Sequence, residues 1–196
     1  MTISDSIGRG AKVILDAIVW TLTRLHIRPN ALTVTGLLIS VAAAYALAYG
    51  YFGWAGLILI FAGLFDMLDG AVARISNRET AFGAFLDSVL DRYSDMIVLL
   101  GLTIYYGRND RLPYVVLVGT VIMGTVLTSY ARARAESLIS KCKVGFLERP
   151  ERVVLLIIGA LSGRMEAVLW VLAILSNWTV IHRILYVRKV LPLQTR

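Results

Sequence analysis

Apolar stretches of bilayer-spanning length follow one another along this chain, separated by short polar turns. A hydrocarbon core of about 30 Å takes roughly 20 mostly apolar residues to cross as a helix. Hydropathy marks six such segments: about 31–49, 54–75, 83–107, 112–138, 150–163 extended by a turn or so, and 166–188. The turns between them fall at Gly50–Gly53, Ser76–Thr80, Arg108–Arg111, Ser140–Arg149 and Ser162–Arg164. The expected fold is all-α: a polytopic membrane protein with six transmembrane helices. Hydrophobic residues make up 58% of the chain and charged ones 17%, with a mean hydropathy of +0.72, well above what a soluble domain carries. The 196 residues read as one domain, a juxtamembrane helix over 1–28 and a six-helix bundle over 29–196.

Residues 3–26 have the pattern of an amphipathic interfacial helix. Val13, Ile14, Ala17, Ile18, Leu22 and Leu25 recur at helical spacing, with Arg9, Lys12, Asp16 and Thr23 on the other side. Asp5 comes early and no small-residue cleavage site precedes Pro29, so a cleaved signal peptide is not expected. The only cysteine is Cys142, which excludes an internal disulfide. A net charge of +7 raises nucleic acid as a partner. The basic residues sit at helix ends, however, which suits anionic lipid headgroups and phosphorylated substrates instead. With the N-terminus in the cytoplasm, Arg9, Lys12, Arg24, Arg28, Arg74, Arg78, Arg132, Arg134, Lys141, Lys143, Arg149, Arg152, Arg183, Arg188, Lys189 and Arg196 lie inside. Arg108, Arg111 and Arg164 lie outside. That asymmetry places both termini in the cytoplasm. Trp20, Trp54 and Trp178, with Tyr105, Tyr106 and Tyr114, are read mostly as interfacial belt residues.

Five aspartates break the apolar pattern: Asp66, Asp69, Asp87, Asp91 and Asp95. A carboxylate at membrane depth costs several kcal/mol unless it is paired, solvated or bound to a cation. Asp66 and Asp69 are three apart, and Asp87 and Asp91 four apart, so each pair shares a helix face. A short loop joins the two helices and makes them antiparallel neighbours, and each pair lies toward the loop end. The four carboxylates can therefore converge near the cytoplasmic surface. An all-oxygen set without His or Cys indicates Mg²⁺, Mn²⁺ or Ca²⁺ rather than zinc, and four clustered carboxylates suit two divalent ions. Gly70 and Gly83 accompany them at positions where a close backbone approach to a ligand repays the helical cost of glycine. Arg74, four residues beyond Gly70, can grip a phosphate through two N–H groups.

The run Asp66-Met-Leu-Asp69-Gly70-Ala-Val-Ala73-Arg74, eight residues, Gly83, three residues, Asp87, three residues, Asp91 resembles the full signature of the CDP-alcohol phosphotransferases. The resemblance implies that Asp66, Asp69 and Asp87 bind Mg²⁺ or Mn²⁺, with Asp91 at the edge of the metal site. It implies that Gly70, Arg74 and Gly83 contact the CDP moiety, and that Asp91 is the general base for the acceptor hydroxyl. It also implies a homodimer. Asn30 and Thr33 resemble the Pro-Asn-x-x-Thr start of the family's first span and are candidates to touch the nucleotide; Asn30 is equally readable as a helix cap. Asp95 lies outside the signature and is read as structural, paired with Arg92 or another basic group.

A second cluster bears on the acceptor. Arg132 lies near the cytoplasmic end of the fourth span, Arg149 and Arg152 flank the start of the fifth, and Arg183 lies near the end of the sixth. Beside a metal site, such a pocket suits a dianionic phosphate. Arg134, Lys141, Lys143, Arg188 and Lys189 read instead as headgroup-level charges. The segments Ala131-Arg132-Ala133-Arg134-Ala135-Glu136 and Glu148-Arg149-Pro150-Glu151-Arg152 resemble phosphatidylinositol phosphate synthases and the related archaeal enzymes. This implies transfer of the phosphatidyl group of CDP-diacylglycerol, or of an archaeal CDP-lipid, to inositol 1-phosphate with release of CMP. Glycerol 3-phosphate as acceptor and CDP-inositol as donor are the alternatives. An ion or proton transporter, the rival from another class, predicts acids spread across the bilayer depth; here they gather toward one side.

Overall fold

The computed structural model describes residues 18–25 and 28–194. The helix expected over 3–26 lies outside the described residues except for 18–25, of which 18–24 form α1. Six helices follow: α2 (Pro29–Ala48), α3 (Phe52–Ile75), α4 (Ala81–Arg108), α5 (Leu112–Glu136), α6 (Arg149–Ser162) and α7 (Met165–Gln194). No strand occurs among the described residues. α2, α3, α5 and α7 are long and apolar enough to cross a membrane, and the chain is an integral membrane protein.

The other two helices depart from that pattern for different reasons. α4 has 28 residues, ample length, but Asp87, Asp91, Arg92 and Asp95 dilute its hydropathy. α6 has only 14 residues, about 21 Å at the rise of an α-helix. The extension by a turn or so expected of the 150–163 span is absent, and the helix ends at the turn expected over Ser162–Arg164. Gly163 adopts the left-handed conformation (φ 68°), ending the helix as an αL cap does, and α7 begins two residues later.

Each of the helices α2 to α7 packs on two others, closing a ring in the order α2, α3, α6, α7, α5, α4. Leu47, Leu99, Leu102, Val118, Val121, Leu169 and Leu172 form its core. Gly101 sets a close helix contact: a Cβ there would lie 2.4 Å from the Ala44 carbonyl oxygen, so α4 and α2 touch backbone to backbone. Outside the ring, large apolar side chains such as Leu38, Trp54, Phe61, Val116, Met123, Trp170 and Ile174 are exposed, as a lipid-facing surface requires. Tyr106 is not a belt residue. It is buried and stacks on Tyr114 with ring centroids 5.0 Å apart. Glu166 joins this corner, accepting hydrogen bonds from Arg111 and from the Tyr114 hydroxyl.

The segment between α5 and α6 runs from Ser137 to Glu148 without helix. It is pinned to α7. The Arg183 guanidinium, 2% exposed, donates from Nε to the Val144 carbonyl at 2.9 Å and from Nη1 to the Thr128 carbonyl. The Phe146 N–H donates to the Thr179 hydroxyl at 3.3 Å. Buried Cys142 packs with Ala135 and Ile139.

Candidate active site

The aspartates converge because α3 and α4 are joined by a tight turn, 76–80. Asn77 adopts a positive φ of 51° there, a conformation that Asn tolerates better than most residues. Thr80 then caps α4, its hydroxyl accepting from the Gly83 N–H at 2.9 Å. One carboxylate oxygen from each of Asp66, Asp69 and Asp87 lies within 4.8 Å of the others. Asp69 is buried, and its Oδ2 has no hydrogen-bond partner among the described residues. A buried carboxylate oxygen without a donor is costly; beside two further hard oxygen ligands, a divalent cation satisfies it. These residues fit Mg²⁺ or Mn²⁺.

Asp91 stands beside this triad rather than in it. Its Oδ1 lies 3.1 Å from Nη2 of Arg149, whose Nη1 reaches Asp66 Oδ2 at 2.6 Å. Nε of Arg149 faces Asp95 Oδ1 at 3.7 Å, beyond hydrogen-bond reach. The principal partner of Asp95 is Arg152, at 2.8 Å, with both side chains almost fully buried. Arg92 is not that partner, because its guanidinium turns back one turn and donates to the Ser88 carbonyl.

Three cavities meet at these carboxylates. The first is a cleft lined by Asn30, Thr33, Asp69, Gly70, Arg74, Gly83 and Asp87, so every residue expected to touch the CDP moiety faces one space. Asn30 does not cap α2; Arg28 occupies the cap position and Pro29 the first turn. The Asn30 Oδ1 instead lies 3.2 Å from where a Cβ of Gly83 would stand. A larger residue at 83 would fill the floor of this cleft. Arg78, Glu79 and Thr80 also line it. Thr80 was read from sequence only as the end of the turn; a threonine just before an apolar run is the signal that could have found it as a cap, whereas Arg78 and Glu79 carry no signal beyond their place in the turn.

The second cleft is lined by Asp91, Asp95, Arg132, Arg149, Arg152 and Arg183. The four arginines drawn from three separate helices therefore do meet. They are not equally available. Arg152 is committed to Asp95, and Arg183 spends two nitrogens on backbone carbonyls. Arg132 pairs with Glu148 at 2.9 Å and Glu136 at 3.2 Å while remaining partly exposed. Ser88, Arg92, Thr128, Ser129, Glu136 and Glu148 also line it. None of these was read from sequence as an acceptor-site residue, and Glu148 reaches the cleft only through the return of the 137–148 segment.

The third cavity is an apolar groove between α2, α3, α4 and α6. It is lined by Leu37, Leu59, Ile60, Leu64, Val153, Val154 and Ile157, and ends at Asp66, Asp69 and Asp91. A molecule with a charged head and an aliphatic tail thus finds polar and apolar surfaces meeting at one point. Bound there, its head would sit among the carboxylates and its tail along the groove.

The family model for CDP-alcohol phosphatidyltransferase matches residues 26–188. The archaetidylinositol phosphate synthase of Methanothermobacter thermautotrophicus is 41% identical over 171 residues, covering 84% of this chain and 85% of that protein. The phosphatidylinositol phosphate synthase of Mycobacterium tuberculosis is 35% identical over 175 residues, covering 83% and 80%. Crystal structures of the M. tuberculosis enzyme are similar over most of the chain. The form with CDP-DAG bound superposes with a TM-score of 0.82 at 32% identity, covering 89% of this chain and 93% of that one. The form with manganese and citrate gives a TM-score of 0.81 at 33% identity, covering 88% of both.

Proposed function

This chain belongs to the CDP-alcohol phosphatidyltransferase family, and we propose that it transfers the phosphatidyl group of CDP-diacylglycerol, or the equivalent group of an archaeal CDP-lipid, to inositol 1-phosphate with release of CMP. It is a metal-dependent membrane enzyme using Mg²⁺ or Mn²⁺. The observation that carries the reading is the meeting of three cavities at the carboxylates: a phosphate-gripping cleft, a basic cleft and an apolar groove. A reaction joining a nucleotide-activated lipid to a phosphorylated alcohol needs those three surfaces around one point.

In this reading Asn30, Thr33, Gly70, Arg74 and Gly83 hold the CDP moiety. Asp66, Asp69 and Asp87 hold the metal, with Asp91 at its edge, and the carboxylate set suits two ions. When bound, the metal offsets the charge of the diphosphate and of departing CMP. Arg132, Arg149, Arg152 and Arg183 supply the positive field of the acceptor cleft, with Arg132, the most exposed of the four, the most open to direct phosphate contact. Asp91 takes the proton of the acceptor hydroxyl. That oxygen bonds to the β-phosphorus, the bond from the β-phosphorus to the bridging oxygen breaks, and CMP leaves with the electron pair. Asp91 suits the base role because it lines both the groove and the acceptor cleft, whereas Asp87 faces only the nucleotide cleft.

The chain is read as one domain in which α4 and α6 join the four apolar helices to make six spans. The basic residues favour both termini and the clefts facing the cytoplasm. A homodimer follows the family resemblance, and the small residues of α4 and α5 would permit close packing. One assay tests the central reading: purified enzyme with CDP-diacylglycerol and, separately, inositol 1-phosphate, inositol, glycerol 3-phosphate or serine. CMP release with inositol 1-phosphate alone supports it. Turnover with inositol but not its phosphate contradicts the assignment of the basic cleft.

A further inference from the structure

Glu148 stands where three elements meet, and the reaction as described gives it no task. It is the N-cap of α6, in a reciprocal capping box: its carboxylate accepts from the Glu151 N–H, and its own N–H donates to Glu151 Oε2 at 3.0 Å. The same carboxylate receives Arg132 Nη1 from α5 at 2.9 Å and faces Arg183 Nη2 from α7 at 3.8 Å. Arg149 is the next residue, so the cap also fixes the start of the helix turn from which Arg149 reaches Asp66 and Asp91.

We propose that Glu148 is a positioning residue for the acceptor: it holds Arg132 and Arg183 at the wall of the basic cleft and, through the cap, sets the origin of Arg149. This rests on the reading of that cleft as the site of a phosphorylated acceptor. Arg132 keeps capacity for a ligand despite its two partners. Glu148 takes Nη1 and Glu136 takes Nε, while Nη2 has no such partner among the described residues. Two carboxylates on one guanidinium leave it a narrow range of orientations, so less is lost when a phosphate arrives. The Glu148 side chain is 46% exposed, and exposed ion pairs contribute little to stability. Its effect on acceptor binding is therefore separable from folding.

Glu148→Gln is the sharp probe. The amide oxygen can still accept from the Glu151 N–H, but the negative charge that orients Arg132 and Arg183 is gone. The expected result is an acceptor KM raised about tenfold, the loss of one ordered long side chain, with kcat and the KM for CDP-diacylglycerol nearly unchanged. Glu148→Ala, which also loses the cap, should raise the acceptor KM further. In a double-mutant cycle with Arg132→Gln, the Glu148→Gln effect should shrink markedly, since it acts largely through Arg132. An unchanged or lowered acceptor KM in Glu148→Gln overturns the proposal, as does full additivity in the cycle or an equal loss of CDP-lipid binding. Failure of the underlying reading looks different: the wild-type enzyme would then show no turnover with any phosphorylated acceptor.

Discussion

Arg149 Nη1 lies 2.6 Å from Asp66 Oδ2, linking the first helical position of α6 to an acid of the metal triad on α3. Its Nη2 reaches Asp91 at 3.1 Å. A single guanidinium therefore spans the gap between the triad and the carboxylate assigned as base. Lysine has the charge but not the fork, so it can hold only one of these positions. Arg149→Lys and Arg149→Ala are both expected to lower kcat/KM by at least about a hundredfold, in line with losing a partly buried charge-assisted contact at each end. Steady-state CMP release measures this; lysine restoring more than half of wild-type activity would show that the two-ended contact is unimportant.

Asp91→Asn keeps the shape of the side chain and removes its ability to take a proton. With Asp66, Asp69 and Asp87 intact, the cation and the CDP-lipid should still bind. The expected outcome is CMP release reduced by about three orders of magnitude or more with CDP-lipid affinity within a few-fold of wild type. Equilibrium binding and single-turnover kinetics separate the two effects. A variant that turns over normally would remove Asp91 from the base role.

The parts of the site fixed by local geometry were legible in the sequence. Asp66 with Asp69, and Asp87 with Asp91, lie at helical spacing on helices joined by one short turn, so their convergence follows from the period and the loop length alone. The arginines were legible as a group because basic residues gathered at helix ends that had to lie on one side. Their division of labour was not. That Arg152 is consumed by Asp95, and Arg183 by the Val144 and Thr128 carbonyls, depends on contacts between residues some 40 to 60 positions apart. Periodicity carries no such information. The end of α6 was legible, because the turn expected at Ser162–Arg164 holds the left-handed cap Gly163, but the span stays at 14 residues without the added turn.

Asp95 and Arg152 form a pair with side chains only 8% and 5% exposed. Removing one partner of such a pair strands the other charge in a water-poor interior. Asp95→Ala is expected to destabilise the protein by about 3–5 kcal/mol, whereas replacing both with apolar residues of similar volume should cost much less. Thermal unfolding in detergent, comparing Asp95→Leu, Arg152→Leu and the double variant, tests this. Single variants no less stable than the double one would mean that the pair carries little structural weight.

The α2–α4 contact offers a test of the ring itself. A Cβ at Gly101 would meet the Ala44 backbone at 2.4 Å, while nothing lies within 4 Å of one at Gly107 on the same helix. Backbone cannot swing aside as a side chain can, so Gly101→Ala must push α4 from α2. The expected cost is roughly 1–3 kcal/mol, against no loss for Gly107→Ala. Equal unfolding midpoints for the two variants would contradict the close packing.

Metal removal probes the triad without mutation. EDTA should stop turnover, and added Mg²⁺ or Mn²⁺ should restore it, because Arg149 pairs with Asp66 alone of the three triad carboxylates and the buried Asp69 Oδ2 has no hydrogen-bond partner among the described residues. The same ion should stabilise the fold, since a ligand that binds only the native state adds about 2.7 kcal/mol at a hundredfold excess over its Kd. That rise in unfolding temperature should disappear in Asp69→Asn, Asp66→Asn and Asp87→Asn but persist in Asp95→Asn, which lies outside the triad. A stabilisation that survives loss of all three triad carboxylates would place the ion elsewhere.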